Sequence, residues 1–459
     1  MRRLLISVAL TVSAIIVAAQ TVRDEIHDNI RCSASNYMAY PYPVQIKQTQ
    51  APGEKKPFYI SHYGRHGSRY HNKPQTYDIP YEILSKADSL GKLTSLGKDV
   101  LYRLRIIQQD AQEHWGELTD LGARQHQDIM RRMVERFPEV FEDKVSVDAR
   151  STTMTRCILS MENAMMQLVR MRPQAKIHHN ATHRDMYYLN QQDKYLFSMK
   201  MDSTAQVRYN EFARKYEDNS RLMLSLFNDT AYINNMVDAG KLNYFLFKVA
   251  SNIQSTDLSK RLTLYDLFTD EEVYRNWKKE NAWWYISFGN AAINGGLQPY
   301  TQRNLLRRII EQADSCIRLK QPPVQLRYGH ETVILPLVCL LDVNGYGLST
   351  DNLESLDRRG WANYRIFPMG CNLQLVFYRD NPADEDVLVK VLLNENEATL
   401  PLKSSIEPYY HWSDFREFYL KKLDIGFIAD NFNVSQTVIN RELARIRIKI
   451  LTVQNLDKK

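Results

Sequence analysis

The sequence predicts an α/β fold interrupted by a mostly helical insertion, and three observations predict it. Short runs rich in β-branched and aromatic residues, over 58–63, 144–149 and 324–328, each read as a strand. Each gives way directly to a turn or a helix: Gly64 follows the first, Ser151 and Thr152 open a helix after the second, and Gly329 precedes the apolar helix 333–341 after the third. Between the second and third, residues 172–320 hold long amphipathic segments (204–226, 231–253, 266–290 and 301–319) rich in Tyr, Arg, Asn and Met, with few strand-like runs.

Bulk properties narrow the class without choosing a function. A chain of 459 residues can bury a sizeable core, in one large domain with an insertion or in two domains. Its 44% hydrophobic and 25% charged residues are ordinary for a soluble globular protein. Arg2 and Arg3 precede an apolar run over 4–19, with Ala18 and Ala19 just before Gln20, which reads as a secretory signal peptide over 1–20. The run is short of the roughly 20 residues that a membrane span needs, and no second apolar segment follows. Removing the leader takes away two arginines and no acid, so the net charge falls from +7 to +5, a mild excess that suits an anionic substrate without requiring one. Export would permit disulfides, yet Cys32, Cys157, Cys316, Cys339 and Cys371 are widely spaced, form no zinc pattern and leave at least one thiol free or intermolecular.

The first strand leads into the densest chemistry of the chain. In FYISHYGRHGSRY, residues 58–70, the strand breaks at Gly64, and Arg65 and Arg69 flank His66 and Gly67. Two guanidiniums can hold a phosphoryl group by paired hydrogen bonds, a neutral imidazole nitrogen can attack it, and a glycine lets the ligand approach the backbone. A solvated basic loop after an edge strand would have the same composition, so the later segments must decide. Residues 71–96, with Pro74, Pro80 and Gly91, read as a long surface loop; Tyr70, His71 and Lys73 stand at its start, where exposure is expected. Val100, Leu101, Leu104 and Ile107 mark a helix over 97–109. Thr119 caps another whose stripe is Leu121, Ile129, Met130, Met133 and Phe137, ended by Pro138.

The strand 144–149 runs into a helix that Ser151 or Thr152 can cap, placing Arg156 one to two turns inside. A helix N-terminus with an inward arginine is an anion site, because free N–H groups and the dipole point the same way. His178, His179, His183, Arg184 and Asp185 cluster where the insertion begins, but without metal-ligand spacing they receive no role. The third junction supplies His330-Glu331-Thr332 at a helix start. Residues 372–379 and 387–393 follow as hairpin strands, and 412–423 as a closing helix. The basic segment 425–459 has a helix-turn-helix flavour, but a DNA reader behind a signal peptide has no target, so it is read as a helical extension and no nucleic-acid partner is expected.

Arg65-His66-Gly67-Ser68-Arg69 after an apolar strand resembles the signature of the histidine phosphatases, and Tyr70 makes it similar to the inositol-polyphosphate phosphatases and phytases among them. The phrase Leu118-Thr119-x-x-Gly122, the Arg150-Ser151-Thr152 run with Arg156 six residues on, and a His-acid pair at a strand–glycine–helix junction resemble the family in the same order. The resemblance implies a phosphoglycerate-mutase-like core sheet flanked by helices, from 21–171 and 321–424, with 172–320 as a cap domain. It implies that Arg65, Arg69, Arg156 and His330 bind phosphoryl oxygens with Arg150 a near neighbour, and that His66 is the nucleophile. Where the family has His-Asp or His-Ala-Glu, this chain has His-Glu-Thr. Glu331 stands at the aspartate position with one extra methylene and takes the proton-donor role, since a threonine is a poor acid. The implied reaction is hydrolysis of a small phosphomonoester, an inositol polyphosphate, without metal or organic cofactor, in the periplasm or outside the cell and at mildly acidic to neutral pH. A general acid phosphatase, a sugar-phosphate phosphatase, and a phosphate-binding protein without turnover stay open, the last because of His-Glu-Thr.

Overall fold

A computed structural model describes residues 20–45, 47–190 and 193–423. The expected signal peptide, apart from Gln20, and the extension over 425–459 lie outside the described residues. One sheet organises the molecule. Its strands are β1 (Lys56–Arg65), β2 (Ser146–Ser151), β3 (Lys176–Asn180), β4 (Val324–Gly329), β5 (Asn372–Arg379), β6 (Leu388–Leu393), β7 (Asn396–Ala398) and β8 (Tyr409–His411). They lie in the order β3-β2-β4-β1-β5-β6-β7, with β8 beside β6. The first four run parallel, and β5, β6 and β7 continue antiparallel.

The register brings the site together. Arg65 is level with Gly329 across β1 and β4, and Ser151 with Tyr328 across β2 and β4, so three strands end along one edge of the sheet. In open sheets of parallel strands, ligands bind at that edge, where the loops and helix starts converge. β1 does not break at Gly64 as expected: Gly64 is paired on both sides, with Tyr328 and Asn372, and the strand runs to Arg65. β2 likewise runs to Ser151, whose hydroxyl donates to the Thr152 carbonyl at 2.8 Å instead of capping a helix.

Five helices precede or flank these strands: α1 (Val22–Asp28), α2 (Gln75–Ser89), α3 (Ser95–Ala111), α4 (Asp120–Arg136) and α5 (Thr155–Met171). α2 replaces the surface loop expected over 71–96. Pro74 sits at its N-cap with φ −57°, already helical, and Pro80 lies on a buried stripe with Tyr77, Leu84 and Ala87. Burial of that stripe outweighs the one backbone hydrogen bond that Pro80 cannot make. α5 begins at Thr155, so Arg156 stands in its first turn, nearer the helix start than expected.

α4 and α5 cover one face of the sheet, where Met130, Met133, Met161 and Leu168 meet Ile60, Val147 and Leu326. The opposite face is covered by the helices Arg303–Cys316, Glu331–Leu341 and Trp412–Leu423. In the second of these, Val333, Ile334, Leu335, Leu337 and Val338 are all fully buried. Each such side chain contributes roughly 1.5–3 kcal/mol by leaving water, which locks the start of that helix to the sheet edge. A third cluster joins α1, α2 and α3 to the helices Ser220–Leu226, Ala239–Ile253 and the first half of Asp270–Phe288. Residues before α4 thus share a core with the helical insertion, while residues 176–180, counted with the insertion in the sequence, form the edge strand β3 beside β2. All five cysteines are buried free thiols.

Candidate active site

The loop after β1 is held by its backbone before any side chain acts. Arg65 N–H donates to Cys371 O at 2.8 Å, His66 N–H to Gly329 O at 3.0 Å, and Gly370 N–H to His66 O at 2.9 Å. Further on, Ser68 N–H donates to Gln125 Oε1 at 2.8 Å, and Thr119 N–H donates to Ser68 O at 2.9 Å. Thr119 also caps α4 by accepting from Gly122 N–H at 3.2 Å. The glycines are needed for close approach: a Cβ on Gly67 would lie 2.3 Å from Gly122 O, and one on Gly122 would lie 2.2 Å from Ser68 O. From α5, Ser160 Oγ accepts Gly67 N–H at 3.1 Å and donates to Arg156 O at 2.8 Å, tying the loop to the helix that carries the third arginine.

This frame brings His66, His330, Glu331, Arg65, Arg69 and Arg156 around one buried space. His66 is fully buried, and its Nδ1 lies 2.9 Å from Gly67 O. A carbonyl only accepts, so Nδ1 carries the proton and Nε2 presents its lone pair, 3.5 Å from Glu331 Oε2. Burial holds the His66 pKa well below the usual histidine range; the Glu331 carboxylate opposes this, and Arg65 and Arg156 reinforce it. The ring is therefore neutral near pH 7, the form that can act as a nucleophile.

Arg65 Nη1 is anchored to Asn36 O at 2.7 Å and Phe367 O at 2.9 Å, which turns its other edge toward the space. Its Nε is 3.0 Å from Glu331 Oε2, close enough for charge pairing but not aligned as a hydrogen bond. Arg69 is anchored through Nη1 to Tyr70 O at 2.8 Å, lies over the Tyr37 ring with its carbon 5.3 Å from the centroid, and approaches Glu331 Oε1 at 3.8 Å. Burial and the nearby Arg69 and Arg65 cations lower the Arg156 pKa, although it stays charged at any working pH. Arg65 Nε and Nη2, Arg69 Nε, Arg156 Nε and His66 Nε2 are all buried without a hydrogen-bond partner. Buried donors left unpaired cost about 1–3 kcal/mol each, so this arrangement calls for a ligand rich in acceptors.

His330 is the N-cap residue of the helix Glu331–Leu341, and its N–H donates to Tyr63 Oη at 3.3 Å. Thr152 Oγ1 lies 3.3 Å from its Nε2, and the Cys157 thiol packs 3.8 Å from both ring nitrogens. Burial pushes its pKa down to about 4, with Glu331 opposing and the three arginines assisting. Glu331, at the first position of that helix, is 8% exposed. Burial alone would raise its pKa, but the guanidiniums of Arg65 and, after it, Arg69 hold it well below the usual carboxylate range. His66, His330 and Glu331 place three donor atoms within 4.8 Å of one another, the only such set of possible metal donors among the described residues. Three guanidiniums face the same space, so it is arranged for an anion rather than a metal cation.

Arg150, expected as a near neighbour of the phosphate, pairs with Asp148 at 2.8 Å, two residues before it on β2, and reaches Asp185 at 3.9 Å. His178 pairs with Asp148 of β2 and His179 with Glu162 of α5, on opposite faces of the edge strand β3. His71, expected at the surface, is buried against Tyr37 with ring centroids 4.4 Å apart. Tyr37, Gln125, Cys157 and Ser160 all serve the site and were not singled out from the sequence.

A model of the histidine phosphatase superfamily (branch 2) matches residues 64–394. Among solved structures, the multiple inositol polyphosphate phosphatase of Bifidobacterium longum in complex with inositol hexasulfate is similar, with a TM-score of 0.72 and 15% identity, covering 84% of this chain and 97% of that one. The phytase of D. castellii is similar too, with a TM-score of 0.65 and 16% identity, covering 86% of this chain and 85% of that one. At such identities the likeness is one of fold. No curated protein sequence matches the chain.

Proposed function

Because the chain belongs to branch 2 of the histidine phosphatase superfamily, we propose that it is an exported phosphomonoesterase that hydrolyses inositol polyphosphates through a phosphohistidine. The observation that carries this reading is the set of four unpaired N–H donors, on Arg65, Arg69 and Arg156, beside the unpartnered lone pair of His66 Nε2, around one buried space. A phosphoryl group has the charge and the three oxygens to satisfy them, and its phosphorus then lies in front of His66 Nε2.

In the first step His66 Nε2 forms the bond to phosphorus while the ester bond to the leaving oxygen breaks and Glu331 delivers its proton to that oxygen. Arg65, Arg69, Arg156 and His330 neutralise the charge spread over the equatorial oxygens, the task that Mg²⁺ performs in kinases. In the second step Glu331 accepts a proton from water, whose oxygen attacks phosphorus as the bond to His66 breaks, releasing phosphate and restoring the neutral ring. Arg150 takes no part in either step.

The substrate class rests on the fold shared with an inositol polyphosphate phosphatase and a phytase, on Tyr70 after the arginine-histidine loop, and on the sequence's positive excess. The experiment is phosphate release by the mature protein, without added metal, from phytate and from a small chromogenic phosphomonoester. A strong preference for phytate, abolished by His66→Ala, is the expected result; equal rates on both substrates would make it a general acid phosphatase.

A further inference from the structure

The carboxylate of Glu331 stands where an incoming anion must go. Its oxygens lie 3.0 Å from Arg65 Nε, 3.5 Å from His66 Nε2 and 3.8 Å from Arg69 Nη2. They balance charge without satisfying the donors, because Arg65 Nε and Nη2 and Arg69 Nε stay without hydrogen bonds. A single carboxylate rooted at the start of a locked helix cannot serve donors that converge from three directions, whereas a tetrahedral oxyanion can.

Building on the phosphatase reading of this site, we propose that Glu331 is the built-in counter-ion of the empty site and that a doubly charged oxyanion, on binding, drives it to take up one proton. The general acid is then loaded by substrate binding rather than by ambient pH. Three cations face the carboxylate, Arg65, Arg69 and Arg156, and two imidazoles, His66 and His330. Tyr63 and the thiols of Cys157 and Cys371 also lie near it, and burial raises the pKa of all three, so they stay neutral.

In the empty site the arginines keep Glu331 ionised, despite burial that favours the neutral form. An oxyanion bound to the same arginines takes over their hydrogen bonds and sets two negative charges beside the carboxylate, in a space with little water to screen them. Repulsion then favours the neutral acid. The proton comes from solvent, bonds to a carboxylate oxygen, and no other covalent bond changes. Neither imidazole takes it first near pH 7, since burial holds His66 well below the usual range and His330 at about 4.

Sulfate tests this, because it stays doubly charged at every working pH and any proton taken up belongs to the protein. Calorimetric titration of the intact enzyme with sulfate near pH 7, in two buffers of different ionisation enthalpy, gives the protons gained per anion bound. The expected result is about one proton for wild type, with affinity falling about tenfold per pH unit as pH rises. Glu331→Gln should bind sulfate with no proton gain and a flat pH profile. Zero uptake in wild type overturns the inference, even if the variant fails to fold. Uptake unchanged in Glu331→Gln also overturns it, by placing the proton on an imidazole. Sulfate that binds without proton uptake leaves the phosphatase reading standing; absence of both sulfate binding and phosphate release overturns that reading and the inference with it.

Discussion

Replacing Ser160 with alanine tests whether the nucleophile's loop is held from α5. Ser160 Oγ is buried, accepts Gly67 N–H at 3.1 Å and donates to Arg156 O at 2.8 Å. Arg156 O keeps its place as a helix acceptor after the change, so the loss falls on the Gly67 amide. A buried N–H without a partner costs about 1–3 kcal/mol. If the loop keeps its position, that cost appears as lower stability. If the loop shifts to recover a partner, His66 is misplaced, and the same energy appears as a fall of about 5- to 150-fold in kcat, at 1.36 kcal/mol per tenfold. The assay is kcat and KM on a chromogenic phosphomonoester, paired with a denaturant midpoint. Because the contact positions the nucleophile rather than touching substrate, kcat should fall more than KM rises. A variant with wild-type kcat and a wild-type midpoint would refute the argument.

Gly122→Ala puts a methyl 2.2 Å from Ser68 O and 2.8 Å from Ser68 N, against backbone that cannot swing aside. It should cost about 1–3 kcal/mol of stability and most of the activity, read by thermal melting and turnover; unchanged values would contradict the close packing. Arg150→Ala should leave kcat/KM within about twofold, because Arg150 pairs with Asp148 and Asp185 and such partly exposed pairs contribute about 0–1 kcal/mol. A large loss would place Arg150 among the groups that act on the substrate. Stability should fall in acid. Burial pushes the pKa of His62 and His71 down to about 3 and that of His126 and His330 to about 4, all below the usual 6.5. The unfolded chain then binds more protons than the folded one between those values, so stability present above pH 6.5 is lost as pH falls toward 4, by up to about 1.4 kcal/mol per pH unit for each ring. A melting temperature constant from pH 7 to 4.5 would contradict this.

The residues gathered around the buried space were legible because they stand next to one another at strand ends. Arg65, His66 and Arg69 share one loop, His330 and Glu331 adjoin one glycine, and the parallel register aligns those two ends without further information. Residues that position this chemistry were harder to see, since they act on backbone from distant helices. Ser160 and Gln125 left one trace, a small polar or amide side chain on an otherwise buried stripe: Cys157, Met161 and Ala164 beside the first, Gly122 and Ile129 beside the second. The pairing of Arg150 with Asp148 follows from strand alternation, which spacing to Arg156 does not reveal: Val147 and Ala149 face the core below α4 and α5, so Asp148 and Arg150 share the other face. α2 was hidden by two prolines, one at the position where a helix tolerates it and one paid for by burial. β3, with the sequence KIHHN, has too little apolar alternation to read as a strand and forms at the edge, where few of its side chains need burial.

The central claim is that His66 Nε2 carries the phosphoryl group between the two steps. The most direct test is to mix the mature protein with a phosphomonoester, quench within milliseconds into alkali, where phosphohistidine survives, and map the modified peptide by mass spectrometry. The account predicts a phosphoryl group on His66 in wild type and neither label nor turnover in His66→Ala. Rapid turnover with His66 unmodified, or turnover that persists in His66→Ala, would contradict it.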